Sequence, residues 1–400
     1  MNVLAHGVGS RSDLPIPAFY AYAGAIAALV VSFLALGLLW ADSRFRGEAA
    51  GRVLPWKAPS LRWVGAVALL FTAGWLLAPD DGNAAPYLVY VLFWVGLVPA
   101  SLLFGPVWRS LNPFRLLPDR PRLPLKVGYW PAALGLFAFT WMELVSPEPA
   151  ARSTLAILLV VYGAAQTVGV LVYGHAWLER GDPFEVYSTL IGHLAVLGRR
   201  SDGSVVLRSP LNGLDAIAPA PGLVAAVCVL LGSTGYDGFS NAPAWVDALQ
   251  TGPLGRTGLG TLGLLAAILL VGLLYAACLG LAGVIGGRKG LAGAFAHSLV
   301  PIAIGYLIAH YFSLFAIEGQ RAVILGFRLP LVVNTEVVSA GTIATVQVLA
   351  IIAGHVLGVV AAHDRSVRLL PYGRAVAGQI PLFLLMVCYT IGGLTLLFAT

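Results

Sequence analysis

Charged residues and cysteines are both scarce in this sequence. Charged side chains make up 10% of its 400 residues, and only 3 cysteines occur. Because all three cysteines lie within apolar runs, we interpret them as buried apolar side chains rather than as a disulfide framework or zinc ligands. The scarcity of charge also leaves no basic patch interleaved with aromatic residues, so nucleic acid is not an expected partner.

Catalytic sequence motifs are missing as well. The sequence contains no nucleotide-binding P-loop, no GxSxG elbow, no HExxH and no CxxC. Its glycines sit largely in apolar segments, where small residues allow helices to pack closely, so they are not phosphate-binding loops. The sequence therefore shows none of the common signatures of hydrolases or nucleotide-binding enzymes.

Apolar residues, in contrast, make up 58% of the chain, and the mean hydropathy is +0.86. Apolar runs of about 20 residues recur along its length, and each is long enough to cross a hydrocarbon core of about 30 Å. We predict an all-α fold, a polytopic transmembrane helix bundle that forms a single integral membrane domain over residues 1–400. The predicted spans are about 18–40, 63–79, 86–105, 129–146, 153–173, 219–236, 257–284, 291–317, 340–362 and 377–399.

Basic residues are concentrated in every second connection between these spans. They follow the first, third, fifth, seventh and ninth spans, whereas the second span leads to the acidic loop PDDGN. By the positive-inside rule, this pattern predicts about ten spans with both termini extracytoplasmic, in the inner (cytoplasmic) membrane of a cell. The lipid bilayer is then the main partner, and the formal charge of +6 belongs to the cytoplasmic loops.

The longest predicted cytoplasmic connection spans residues 174–218. Within it, DPFEVYSTLIGHLAVLG predicts an amphipathic interfacial helix. The following RRSDGSVVLRS predicts a small hairpin, because Asp-Gly is typical of a tight turn. We interpret His175, His193 and His363 as solvated histidines at this side of the membrane.

Two stretches of the sequence resemble each other. GPVWRSLNPF at 105–114 follows the third span, and GHAWLERGDPF at 174–184 follows the fifth. In both, Asn112 or Asp182 is a good helix N-cap, and the proline after it suits the first helical turn. Either capping chemistry recurs here by chance, or the chain contains a duplicated helix-pair unit of the kind found in transport folds.

The eighth and ninth spans form an apolar hairpin that carries an unusual number of polar residues. Ionisable side chains at membrane depth are costly and normally face a bundle interior, a partner or water. By position along their helices, His297 and His355 lie at the inner third, and His310 lies at the outer third. At that outer level His310 would meet Asp237 from the end of the sixth span.

These positions predict an inner site of His297 with His355 and an outer site of Asp237 with His310. Imidazole with carboxylate suits a transition metal, copper foremost, and it suits a proton relay equally well. A facing histidine pair also suits the axial ligation of a single b-type haem. Alternatively, these histidines only join helices by hydrogen bonds. The further ligand or relay candidates are His6, Tyr236, Tyr306, Glu318 and Gln347, whereas we interpret Glu143 as an interfacial group.

Several short segments resemble a bacterial membrane protein family commonly labelled fenitrothion hydrolase. They are AHGVGSRSDLPIP at 5–17, VWRSLNPF at 107–114, STGYDGFS at 233–240 and AHYFSLFAIEGQ at 309–320. The resemblance implies phosphotriester hydrolysis by a membrane-associated, metal-dependent enzyme with further membrane or extracytoplasmic subunits. In that family AHG would follow a signal peptide. Here no signal-peptide pattern precedes it, so either the start is truncated or His6 stays internal.

The leading hypothesis is an integral membrane metalloprotein, or the membrane subunit of a metal-dependent complex of hydrolase type. Asp237 and His310 would be its outer ligands, with His297 and His355 as an inner site or relay, and a metal-bound water would be the nucleophile. The alternative is a secondary transporter or permease that uses the same residues to bind an ion or pass protons. A third hypothesis is a structural subunit.

Overall fold

The computed structural model describes residues 18–79, 82–200 and 202–398, and helices dominate this part of the chain. The helices in chain order are α1 (Ala18–Leu39), α2 (Arg62–Trp75), a π-helical segment (Tyr87–Val95) that continues into α3 (Leu97–Phe104), α4 (Val107–Leu111), α5 (Trp130–Leu144), α6 (Arg152–Tyr173), α7 (His175–Arg180), α8 (Pro183–Gly192), α9 (Pro210–Asp215), α10 (Leu223–Ser240), α11 (Pro243–Thr251), α12 (Gly255–Gly286), α13 (Leu291–Phe295), α14 (Val300–Gly326), α15 (Ala340–Leu369) and α16 (Ile380–Phe398).

Eight helical stretches of the described residues are long and apolar enough to cross a membrane. They contain α1, the π-helical segment with α3, α6, α10, α12, α13 with α14, α15, and α16. The remaining two predicted spans are also helical, but α2 has 14 residues and α5 has 15, which is short for a hydrocarbon core. The structure therefore confirms an α-helical architecture in which several helices are long and apolar enough to span a membrane.

The hairpin of α14 and α15 packs through glycines. Gly305 on α14 lies against the backbone of Ala350, and a Cβ on Gly354 of α15 would lie 2.5 Å from the carbonyl oxygen of Pro301. Without side chains at these positions the two helix backbones approach each other closely, as small residues commonly allow in membrane helices. This contact fixes the rotation of α14, and with it the direction of its polar side chains.

A short strand pairing covers one end of the bundle, which we call the sheet end. Strands β2 (Leu197–Arg199) and β3 (Ser204–Leu207) pair antiparallel, and β1 (Arg52–Lys57) pairs with the other edge of β3. The sheet therefore joins the connection after α1 to the connection after α8. We call the opposite end of the bundle, where α10 and α14 finish, the far end.

The segment after α6 folds back into the bundle. Gly174, with φ of 66°, reverses the chain, and α7 returns along α6 so that Trp177 Nε1 donates to Gln166 Oε1 at 2.8 Å. Helix α8 follows, and nine of its ten residues are buried. It therefore differs from the amphipathic interfacial helix expected from the sequence. Its acidic residues can be buried because other buried side chains bind them, as described below.

His363 is likewise buried rather than solvated, so that interpretation was wrong. Its Nε2 contacts the carbonyl oxygen of Trp40 at 2.9 Å, and its Nδ1 lies 3.2 Å from Gln379 Nε2. The next residue, Asp364, accepts hydrogen bonds from Ser43 Oγ at 2.7 Å and from the backbone N–H of Arg44 at 2.6 Å. Together these contacts fix the end of α1 on α15.

We predict that Gly354→Ala destabilises the protein by about 1–3 kcal/mol, the usual cost of overpacking a close contact. The added methyl group would push α15 away from the Pro301 carbonyl. Thermal unfolding in detergent, followed by tryptophan fluorescence, measures the change. Gly280→Ala on α12 is the matched control, because no atom lies within 4 Å of its added Cβ. Equal unfolding midpoints for the two variants would contradict the prediction.

Candidate functional site

Asp237 near the end of α10 is the centre of a buried polar group in the far half of the bundle. The side chain is fully buried, and its Oδ2 lies 2.7 Å from His310 Nε2 on α14. The hydroxyl of Tyr311, the next residue on α14, donates to the same oxygen at 2.9 Å. The predicted meeting of Asp237 with His310 is therefore present, while metal binding by the pair stays a prediction.

Glu143 on α5 belongs to the same group. Its side chain is 3% exposed, and its carboxyl group interacts electrostatically with that of Asp237. The interpretation of Glu143 as an interfacial group was wrong, because α10 and α12 cover the end of α5 around Val145. We call Glu143, Asp237, His310 and Tyr311 the acid–histidine cluster.

The charges of the acid–histidine cluster do not balance without a proton. Two carboxylates carry two negative charges, and a fully protonated imidazole supplies only one positive charge. Because a charge buried in a low-dielectric interior is costly unless it is compensated, at least one carboxyl group has to be protonated for the cluster to be neutral. A neutral cluster therefore holds at least one carboxyl proton.

His297 and His355 are buried but do not belong to this cluster. His355 Nδ1 contacts the carbonyl oxygen of Ile351 on its own helix at 2.9 Å, and within the described residues no hydrogen bond joins the two imidazoles. A Cβ on Gly358 of α15 would lie 2.8 Å from the carbonyl oxygen of Ser298, in the short turn before α14, so the two backbones are in contact at this level. Binding of a single haem by this pair stays a prediction.

The other candidates from the sequence also lie elsewhere. The Tyr236 ring packs edge-on against Trp245 with ring centroids 6.2 Å apart. Tyr306 donates its hydroxyl to the Gly393 carbonyl oxygen at 3.1 Å. Tyr236 and Tyr306 are therefore held by contacts outside the cluster, although Tyr306 borders a small cavity beside His310.

Glu318 pairs with Arg321 one turn later on α14, at 2.6 Å, and this pair belongs to the far end of the helix. Gln347 is buried on α15. His6 lies outside the described residues. Within the described part of the chain, no three His, Cys, Asp or Glu side chains form a group that could hold a metal ion. A transition metal at Asp237 and His310 therefore stays a prediction without support from the geometry.

Sequence reasoning missed the aromatic residues beside Glu143. Trp94 of the π-helical segment stacks on Tyr187 of α8 with ring centroids 4.3 Å apart, and Tyr187 interacts electrostatically with Glu143. Tyr90, one turn earlier, donates its hydroxyl to the Pro149 carbonyl oxygen at 2.8 Å. The spacing of Tyr90 and Trp94 was visible in the sequence, but the π-helical geometry, which is frequent at functional sites, was not.

An open cavity of about 790 Å³ lies at the far end. Its lining includes Tyr87, Glu148, Arg152 and Arg321. Pro149, whose carbonyl oxygen accepts the hydrogen bond from Tyr90, lies between Glu148 and Ala150 of this lining in the sequence. Beside His310, a second cavity of about 10 Å³ is bordered by Ala309 and Ile351, and a volume of that size accommodates about one water molecule.

A second buried polar group lies where the two similar sequence stretches meet. Asn112 accepts from the backbone N–H of Phe114 at 3.1 Å, and Asp182 accepts from that of Phe184 at 3.0 Å, so both act as N-caps. Gly105 and Gly174, which begin the two stretches, have φ of 76° and 66°. The two caps also bind each other, because Asn112 Nδ2 donates to Asp182 Oδ2 at 2.8 Å.

Glu185 in the first turn of α8 completes this group. It accepts from Asn112 Nδ2 at 2.9 Å and forms a two-point ion pair with Arg115. Tyr162, near the middle of α6, donates its hydroxyl to Asp182 at 3.1 Å. We call Asn112, Arg115, Tyr162, Asp182 and Glu185 the cap cluster.

No protein-family model, no curated protein and no solved structure matches this chain. The resemblance to the family labelled fenitrothion hydrolase therefore stays a prediction from short segments.

We predict that Asp237→Ala lowers the unfolding free energy by about 2–5 kcal/mol, because His310 and Tyr311 would lose their common buried acceptor. Thermal unfolding in detergent measures the loss. Glu318→Ala, which removes the acid of the more exposed pair with Arg321, should cost less than about 1 kcal/mol. A smaller effect of Asp237→Ala than of Glu318→Ala would contradict the proposed geometry.

The cap cluster should make stability depend on pH. Burial, and then the neighbouring carboxylate of Glu185, raise the pKa of Asp182 to about 7. Because the folded protein holds this proton more tightly than the unfolded chain, the associated stability is present at low pH and is lost as pH rises through about 7, with a slope of at most about 1.4 kcal/mol per pH unit. In Asp182→Asn, which cannot ionise, this part of the pH dependence of thermal unfolding should disappear. An unchanged dependence in the variant would refute the assignment.

Proposed function

We propose that this protein is a secondary transporter or permease of the cell's inner membrane, and that its acid–histidine cluster binds and releases the coupling proton. In this proposal the chain crosses the membrane ten times, α2 and α5 included, and the sheet end faces the cytoplasm. The excess of basic residues in the connections at the sheet end supports that orientation.

The observation that carries the proposal is the burial of Asp237 against His310 and Tyr311, with Glu143 beside it. Ionisable residues inside membrane-spanning segments are costly, and they commonly mark proton relays and ion pathways. Histidine is the side chain that proton relays use most often, and a carboxylate beside it can accept or donate the same proton. A group whose charges balance only when a proton is bound suits this role.

The arrangement of α6, α7 and α8 gives independent support. Helix α8 begins inside the bundle at Asp182, next to the middle of α6, and the cap that starts it is repeated at Asn112. Internal repeats and helices that begin at membrane depth are common in secondary transporters, where they flank the transport site. Through Tyr187, α8 also reaches the acid–histidine cluster.

Proton movement in reconstituted vesicles tests the proposal. Purified protein is placed in liposomes loaded with a pH-sensitive dye, and a potassium diffusion potential drives protons inward. We predict that Asp237→Asn and Glu143→Gln each reduce the protein-dependent flux by about tenfold or more, because each removes a proton-binding group. Glu318→Gln is the control, because Glu318 is ionisable and lies on the same helix as His310 but outside the cluster.

Each variant is first checked for folding by gel filtration and thermal unfolding. Wild-type vesicles without protein-dependent flux, or equal flux in all three variants, would overturn the proposal. The second candidate function is a metalloprotein that binds its metal at the His310–Asp237 contact. Metal analysis of the same preparations distinguishes this function from proton transport. Stoichiometric copper that is lost in Asp237→Asn would favour the metalloprotein.

A further inference from the structure

Three buried polar atoms next to the acid–histidine cluster have no hydrogen-bond partner among the described residues. They are Glu143 Oε2, Tyr187 Oη and Trp94 Nε1. The three residues are at most 3% exposed, so bulk water does not reach these atoms. Buried polar groups almost always have a partner, and each exception needs a physical reason.

The three side chains come from three separate elements that pack in the same region. Trp94 stacks on Tyr187, and its ring centroid also lies 4.8 Å from that of Phe139. Phe139 precedes Glu143 by four residues on α5, so the two side chains lie on the same face of that helix. Glu143 and Tyr187 interact electrostatically. We call the region where Trp94, Glu143 and Tyr187 meet the chamber.

Together, these three groups offer the hydrogen-bond donors and acceptors that a water molecule needs. An indole N–H only donates a hydrogen bond, an ionised carboxylate only accepts, and a phenol does both. A buried water binds where two to four polar groups of mixed character converge. The indole N–H disfavours a metal cation at this position, and the carboxylate disfavours an anion.

We propose that the chamber binds water and that Glu143 exchanges its proton with that water. This inference rests on the proposed function. In each exchange the O–H bond of the Glu143 carboxyl group breaks and the water oxygen accepts the proton. The reverse transfer restores the carboxyl group, so no other reactant is consumed. Because Tyr187 lies on α8, the chamber extends the acid–histidine cluster toward the cap cluster.

Radiolytic labelling tests the presence of water without relying on transport. X-ray pulses generate hydroxyl radicals from water near a side chain, and mass spectrometry then measures oxidation of that side chain. We expect Tyr187 and Trp94 to be labelled several-fold faster than Tyr275, whose hydroxyl donates to the Ala292 carbonyl oxygen at 2.7 Å. Tyr275 is an equally buried tyrosine. Equal protection of Tyr187, Trp94 and Tyr275 would overturn the proposal.

The Tyr187→Phe variant tests the role of the water in proton exchange. It keeps the ring that stacks on Trp94 and removes only the hydroxyl, and we expect about a tenfold lower proton flux. Tyr275→Phe is the matched control and should keep the wild-type flux. If Asp237→Asn abolishes flux but Tyr187→Phe leaves it unchanged, the chamber proposal fails and the proposed function stands. If labelling occurs but wild-type vesicles show no flux, the function fails and the water site stands.

Discussion

The structure depends on how an apolar helix bundle accommodates the charge of Asp237. A carboxylate inside such a bundle is tolerated only where other groups bind it, and here His310 and Tyr311 both contact one oxygen. Those two residues are adjacent on α14, so their direction depends on the rotation of that helix. The glycine contact between α14 and α15 sets this rotation. The packing of α14 on α15 therefore also determines the geometry of the polar site.

The acid–histidine cluster and the cap cluster differ in how well their buried carboxyl groups are compensated. In the cap cluster, Asp182 and Glu185 share the amide of Asn112, Arg115 binds Glu185 at two points, and Tyr162 binds Asp182. Its carboxylates receive enough donors to hold α8 in place. The acid–histidine cluster has one imidazole for two carboxyl groups, and one Glu143 oxygen lacks a partner among the described residues. This unpartnered Glu143 oxygen is the reason that the proposed proton exchange is assigned to the acid–histidine cluster.

The sequence was sufficient to locate the helices and to predict that Asp237 and His310 lie at the same depth. Both follow from the order of residues alone, namely from the length of each apolar run and the position of a residue along it. The sequence did not predict how each helix is rotated about its axis, which decides which neighbours its side chains face. His297 and His355 were placed at one level, yet no hydrogen bond joins them in the described residues. Glu143 was assigned to the interface because it lies near a helix end, whereas neighbouring helices cover that end. The burial of α8 depends on partners about 70 residues away, Asn112 and Arg115, which no local pattern reveals.

The position of α8 connects these observations. A helix that begins inside the bundle has to bury its first polar groups there, and the cap cluster does so beside the middle of α6. One turn later, Tyr187 reaches the aromatic residues next to Glu143. Polar groups thus continue from the acid–histidine cluster through Tyr187 to the start of α8, although the bundle around them is apolar. A protein whose helices served only to pack against one another would have no use for such a series, since each buried polar group costs stability.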